Sequence, residues 1–262
     1  MPAWLIWTCA ALLSWGVWAV LSKLLGDALS GEASQALSTL GMLPLLVVLA
    51  KWKPVRFSSL SRRGLILAFL GGVITCLGNV AYYSALAQGA KAAAVVPLTA
   101  MYPVVTILLA VLMLRERLSW AQPVGLVLSL AAIWLFNVPE GQGILSPAVL
   151  HAAWPILFWG ISGFLQKVAT NHLPPGPAAL VYLAAFVPVA VILAMREPWG
   201  NPISPREWAL VLALGFFLAF GNVAVLTAFA RGGKAAVITP LGGLYPIISV
   251  PVAVLFLGET VR

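Results

Sequence analysis

The sequence predicts an all-α polytopic membrane protein of about nine spans, built as two inverted five-helix repeats with the last helix missing from the second. Three observations predict it. Of the 262 residues, 62% are hydrophobic and only 8% are charged, about a third of the charged share of an ordinary soluble domain. Apolar runs of about 20 residues recur along the chain, the length that crosses a bilayer as a helix. The chain also matches itself at an offset of 143 residues, across an odd number of spans.

Charges, prolines and glycines punctuate the apolar runs into spans at about 3–25, 33–50, 64–86, 91–114, 119–137, 149–170, 177–195, 207–230 and 234–257. The first run has no basic residue ahead of Trp4 and continues to Leu25, which predicts a first membrane helix and not a secretory signal. The longest connections, 51–63 and 196–206, leave no room for a soluble domain, so function is expected inside the bilayer. Trp52, Trp120, Trp199 and Trp208 fall at span ends, where indoles anchor at the headgroups. Cys9 and Cys76 lie far apart inside apolar runs and read as packing residues, with no disulfide framework or zinc site.

The formal charge of +8 is topological. The basic residues form no stripe interleaved with exposed aromatics, so no nucleic acid is expected as a partner. With a cytoplasmic N-terminus, ten of the fifteen fall on the cytoplasmic side: Lys51, Lys53, Arg56, Arg62, Arg63, Arg115, Arg117, Lys167, Arg231 and Lys234. The other five are Lys23, Lys91, Arg196, Arg206 and Arg262. That bias favours the N-terminus inside.

Under the offset, the 43 residues from Leu77 overlay those from Phe220 without a gap, with 19 identical columns. Two unrelated apolar helices would share Leu, Val and Ala. They would not also pair Gly78 with Gly221, Asn79 with Asn222, Lys91 with Lys234, Pro97 with Pro240, Tyr102 with Tyr245, Pro103 with Pro246 and Glu116 with Glu259. One residue out of that register, SWGVWAVLSKLL from Ser14 overlays FWGISGFLQKVA from Phe158. Five spans separate the equivalents, so the halves 1–138 and 139–262 are expected to enter the membrane in opposite directions, as in many secondary transporters. Arg262 overlays Ser119, so the second half lacks the counterpart of the fifth span.

Tyr102-Pro103 and Tyr245-Pro246 fall at the midpoints of spans 4 and 9. Proline frees a backbone carbonyl, which a membrane tolerates where protein, water or a ligand meets it. Both pairs are therefore candidates for a substrate wall or gate, with packing kinks as the plainer reading, and Pro97 and Pro240 predict a second kink in each span. Asn79 and Asn222 carry amides that must face protein or a cavity. Trp15, Trp18 and Trp159 lie deep in spans 1 and 6; with Tyr82, Tyr83, Tyr102 and Tyr245 they would line an aromatic path or, more plainly, pack a core. Lys23 and Lys167 sit near span ends, as anchors or substrate contacts. Ala81, Ala85 and Gly89, repeated as Ala224, Ala228 and Gly232, form a small-residue packing stripe. Glu116 and Glu259 would cap the next helix, or pair with Arg115 or Arg117.

No Asp or Glu lies at mid-depth in any span, so the substrate is expected to be neutral, zwitterionic or amphipathic. An enzyme is not expected. Gly160-Ile161-Ser162-Gly163 matches a GxSG nucleophile motif, but His151 and His172 lie eleven and ten residues away on the same run, roughly 15 Å along a helix. No GxxxxGK[ST] or HExxH occurs, so no nucleotide, metal or other cofactor is implied. A non-transporting membrane partner protein is the remaining alternative.

These residues carry a resemblance. WG followed by Lys in the first span of each half, the Ala-Leu-x-x-Gly-x-Lys-Ala region, a Pro, a Tyr-Pro and a terminal Leu-x-Glu resemble the EamA-type family of the drug/metabolite transporter superfamily. The resemblance covers nearly the whole chain. It implies ten helices in two inverted repeats, a central cavity, cytoplasmic termini and, in bacterial inner membranes, export of amino acids or other small metabolites. This sequence departs from that pattern after nine spans. The partners expected are the lipid bilayer and a small-molecule substrate, with a homodimer left open. Relatives that carry nucleotide sugars or phosphorylated sugars would need basic residues in the cavity, and only Lys23 and Lys167 are near enough to serve.

Overall fold

The computed structural model describes residues 1–26, 28–52, 59–88, 92–116, 120, 123–124, 127–128, 147–200 and 202–258. Its helices are α1 (Ala3–Leu25), α2 (Gly31–Trp52), α3 (Arg62–Ala87), α4 (Ala92–Thr99), α5 (Tyr102–Leu114), α6 (Pro147–Thr170), α7 (Pro175–Ala184), α8 (Phe186–Arg196), α9 (Pro205–Ala230), α10 (Ala235–Gly242) and α11 (Pro246–Leu257). No strand occurs among the described residues. Seven stretches are long and apolar enough to cross a membrane: α1, α2, α3, α4 with α5, α7 with α8, α9, and α10 with α11. Helix α6 packs along α3 and α5 in the same bundle. The span expected at 119–137 lies almost wholly outside the described residues.

Proline chemistry sets the interruptions. A proline ring displaces the carbonyl four residues earlier and offers no N–H in return. For Pro103 that carbonyl is Thr99 and for Pro246 it is Gly242, where α4 and α10 end. The same rule explains a break absent from the sequence expectation, since Pro188 lies four residues beyond Ala184, the end of α7. The second kinks are not interruptions: α4 and α10 run unbroken past Pro97 and Pro240. One missing bond leaves a helix continuous there.

The helices pack through close backbone approach. Helix α1 runs along α9, and α3 along α6. A Cβ on Gly72 of α3 would collide with the Tyr182 carbonyl of α7, and one on Gly215 of α9 with the Ser38 carbonyl of α2. Ala224 and Ala228 are buried in a cluster with Ala11 and Phe229, whereas Ala81 and Ala85 are only half-buried. The interrupted spans cross at their breaks, where a Cβ on Gly243 would lie 3.0 Å from Pro103 and 3.3 Å from the Ala100 carbonyl.

Leu112, Met195, Leu255 and Phe256 are 75–81% exposed, an apolar exterior that only a hydrocarbon solvent makes favourable. Of the expected interface indoles, Trp120, Trp199 and Trp208 are exposed. At one end of the bundle His172 and Leu173 pack against Gly64, and the Lys167 Nζ donates to the Gly233 carbonyl at 3.1 Å. At another, the Ser30 hydroxyl donates to Glu197 at 2.6 Å.

Candidate functional site

A cavity opens where helices from both halves converge, with about 560 Å³ of empty space that includes its open mouth. Its lining is Trp15, Trp18, Thr75, Asn79, Tyr102, Trp159, Ser162, Gly163, Gln166, Tyr182, Leu218, Asn222, Val225, Thr239 and Tyr245. None of these carries a formal charge.

The aromatic wall is built by helix packing. A Cβ on Gly78 would sit 2.6 Å from the Trp159 indole, and one on Gly221 would collide with that of Trp15. The Nε1–Cδ1 edge of each indole therefore packs against the third span of the other half, and both indoles line the cavity. Tyr102 stands between them, edge-on to Trp15 at 6.4 Å and to Trp159 at 6.2 Å. Trp18 meets Trp159 at 5.7 Å and Tyr245 at 6.2 Å, contacts in the range of favourable aromatic pairs.

Seven residues expected from sequence line this cavity: Trp15, Trp18, Asn79, Tyr102, Trp159, Asn222 and Tyr245. Tyr82 and Tyr83 stand behind the lining, where Tyr82 stacks on Trp18 at 4.9 Å and the Trp18 indole donates to the Tyr83 hydroxyl at 2.8 Å. Pro97, Pro103, Pro240 and Pro246 are not in the lining; Pro103 instead packs in the crossing of the two interrupted spans. Lys23 and Lys167 do not line it either. The Lys167 ammonium is held by the Gly233 carbonyl and lies 6.0 Å from the Phe229 ring. Lys91 and Glu259 lie outside the described residues.

Of the partners the sequence suggested for Glu116, Arg117 and the start of the next helix lie outside the described residues; the structure shows a further one. The Glu116 carboxylate accepts from the N–H groups of Ala235 at 3.2 Å and Ala236 at 3.1 Å, at the start of α10 in the other half. Arg115 takes a left-handed conformation (φ 53°) just after α5, and this turn carries Glu116 across.

The polar wall is what sequence reasoning missed. Gln166 Nε2 donates to the Tyr182 hydroxyl at 2.8 Å, and Tyr182 donates to Asn222 Oδ1 at 3.1 Å. Thr75 Oγ1 sits 2.6 Å from both the Tyr182 and Ser162 hydroxyls. Ser162 donates to the Gly71 carbonyl at 2.9 Å, so the serine of the GxSG match is spent on structure. On the first half's side, Asn79 donates to Gln35 at 2.8 Å and accepts from the Trp159 indole at 3.0 Å. The signal available in sequence was polarity: Gln35, Thr75 and Gln166 are hydrogen-bonding groups inside apolar runs, and such groups face protein or a cavity.

Two polar atoms of this lining are left over. Tyr102 OH and Gln166 Oε1 are buried with no hydrogen-bond partner, each at a cost of about 1–3 kcal/mol. Among the described residues no group of three or more His, Cys, Asp and Glu side chains gathers to hold a metal.

Residues 2–138 and 146–262 each match the EamA-like transporter family. The chain belongs to that family. As a family member with seven stretches among its described residues long and apolar enough to cross a membrane, it is an integral membrane protein and a membrane transporter. An uncharacterized protein of Methanocaldococcus jannaschii is 33% identical over 98 residues, 37% of this chain and 69% of that protein. The pseudopaline exporter CntI of Pseudomonas aeruginosa is 28% identical over 177 residues, which is 66% of this chain and spans 60% of the exporter. A solved crystal structure of a protein superposes with a TM-score of 0.73 at 19% identity, covering 95% of this chain and 86% of that one. The fold is therefore shared at low identity.

Proposed function

We propose that this chain is a secondary transporter that exports small neutral, zwitterionic or amphipathic metabolites, amino acids among them, by alternating access. It sits in a bacterial inner membrane with its N-terminus in the cytoplasm, as nine spans in two inverted repeats, 1–138 and 139–262. The observation that carries this reading is the uncharged, aromatic-walled cavity lined from both halves. A net charge brought there without a counter-charge would lose several kcal/mol of hydration, so nucleotide sugars and phosphorylated solutes fit poorly.

The reciprocal seats of Trp15 on Gly221 and Trp159 on Gly78 support the inverted repeat, because each half supplies the same two parts to the other. The crossing of the two interrupted spans supports rocking of one half against the other around a fixed site. The contacts of Glu116 with Ala235 and of Lys167 with Gly233 tie together connections that the charge bias assigns to the cytoplasm. Similarity to a pseudopaline exporter supports the outward direction.

The test is untargeted metabolite profiling of medium and extract from cells expressing this chain, beside a copy carrying Pro103→Leu and Pro246→Leu. Accumulation of one chemical class outside, absent with the double variant, is expected. No difference at matched membrane expression would overturn the export reading and favour the partner-protein alternative.

A further inference from the structure

Both unpartnered buried polar atoms found among the described residues belong to one cavity. Tyr102 is 6% exposed and Gln166 is 4% exposed. Elsewhere in the polar wall hydroxyls and amides are paired, and packed interiors rarely leave such groups empty. Two exceptions on the lining of one cavity therefore point to a partner that arrives from the cavity.

The neighbours decide which atom of Gln166 is free. Asn222 spends its Nδ2 on the Leu218 carbonyl at 2.9 Å, so its Oδ1 faces Gln166 Nε2 at 3.4 Å. The Tyr182 hydroxyl accepts from the same Nε2 at 2.8 Å. Turning the amide over would set oxygen against oxygen at Asn222. The free atom is thus an acceptor, and it requires an N–H or O–H donor. The Tyr102 hydroxyl still has its proton to give, and it meets an acceptor.

We propose that Gln166 Oε1 and Tyr102 OH are the two polar contacts of the transported solute. Gln166 accepts from a donor on the solute, Tyr102 donates to its acceptor, and Trp15 and Trp159 cover its apolar body. This rests on the transport reading above and adds the chemistry that selects the cargo. The class that fits is a compact solute with no net charge, carrying one N–H or O–H donor and one acceptor beside an apolar part. A solute whose donor is capped by methyl groups leaves Gln166 Oε1 buried and unpaired, and the site rejects it.

The test uses the full chain in nanodiscs of phosphatidylethanolamine and phosphatidylglycerol, with equilibrium binding of two matched probe pairs. One pair is L-leucine and its N,N,N-trimethyl form; the other is 2-phenylethanol and its methyl ether. The wild type is expected to bind the donor-bearing member of each pair about tenfold more tightly. Gln166→Met should bring both ratios close to one. Tyr102→Phe should weaken leucine binding while leaving the melting temperature without probe unchanged or raised, because it deletes a hydroxyl that has no partner in the empty protein. That second variant keeps the proposal testable if Gln166→Met does not fold. Equal or absent binding of both members by the wild type would overturn the proposal. So would undiminished discrimination in Gln166→Met, or a lowered melting temperature in probe-free Tyr102→Phe.

Metabolite profiling of cells expressing the same chains separates the two readings. Export without pair discrimination would keep transport and overturn this recognition. Discrimination without export would keep the recognition and overturn transport.

Discussion

The indole of Trp159 rests on Gly78, with so little clearance that a Cβ there would lie 2.6 Å from the ring. Trp15 has the same relation to Gly221 in the other half. A methyl group at either glycine must push an indole out of the cavity wall. Gly78→Ala and Gly221→Ala are each expected to cost about 1–3 kcal/mol of stability and to lower flux. Thermal unfolding in detergent and flux at matched expression check this; wild-type values for both would show that the indoles yield freely.

The Glu116 carboxylate satisfies two N–H groups at the start of α10 from across the repeat boundary. Charge-assisted caps are stronger than neutral ones. Glu116→Ala should cost about 1–2 kcal/mol and fray the first turn of α10, with Glu116→Gln intermediate. Hydrogen exchange over residues 233–242 reads this directly, and unchanged protection of the Ala235 and Ala236 amides would refute the cap.

Trp18 donates its indole N–H to Tyr83 at 2.8 Å, with both residues buried. Tyr83→Phe leaves that donor unpaired beside a wall residue. A loss of about 1–3 kcal/mol is expected, measured as a lower unfolding midpoint. An unchanged midpoint would mean that the indole finds another acceptor.

Tyr102 and Tyr245 stand at the breaks of the two interrupted spans and line the cavity. Tyr102→Ala and Tyr245→Ala should reduce flux about tenfold or more while the chain still inserts, because insertion depends on apolar span length and flanking charge. Membrane fractionation beside flux separates the two effects. Full flux in both variants would remove the tyrosines from the pathway.

Much of the fold was legible in the sequence because its causes are local. Apolar length marks a span wherever its neighbours lie, and the Tyr-Pro pairs mark breaks because a proline disturbs its own turn. The break between α7 and α8 falls at Pro188 by the same rule, but the sequence does not announce it, because the equivalent Pro44 lies inside the unbroken α2. The candidate site was half legible. Trp15, Trp159, Asn79 and Asn222 stood out as matched pairs, whereas Gln166 and Tyr182, which also line the cavity, were hidden among unmatched columns.

The sequence by itself determined that this is a membrane protein with a duplicated architecture, spans broken at Tyr-Pro, and no charge at mid-depth. Hydropathy along the chain carries that information without reference to any partner. Only the tertiary structure decided which side chains share the cavity, that Glu116 holds Ala235 in the other half, and that Tyr102 and Gln166 each keep one polar atom unpaired. The reason is rotational. An apolar helix in lipid has no hydrophobic stripe to announce its buried face, so its orientation is set by where glycines let other backbones and indoles approach.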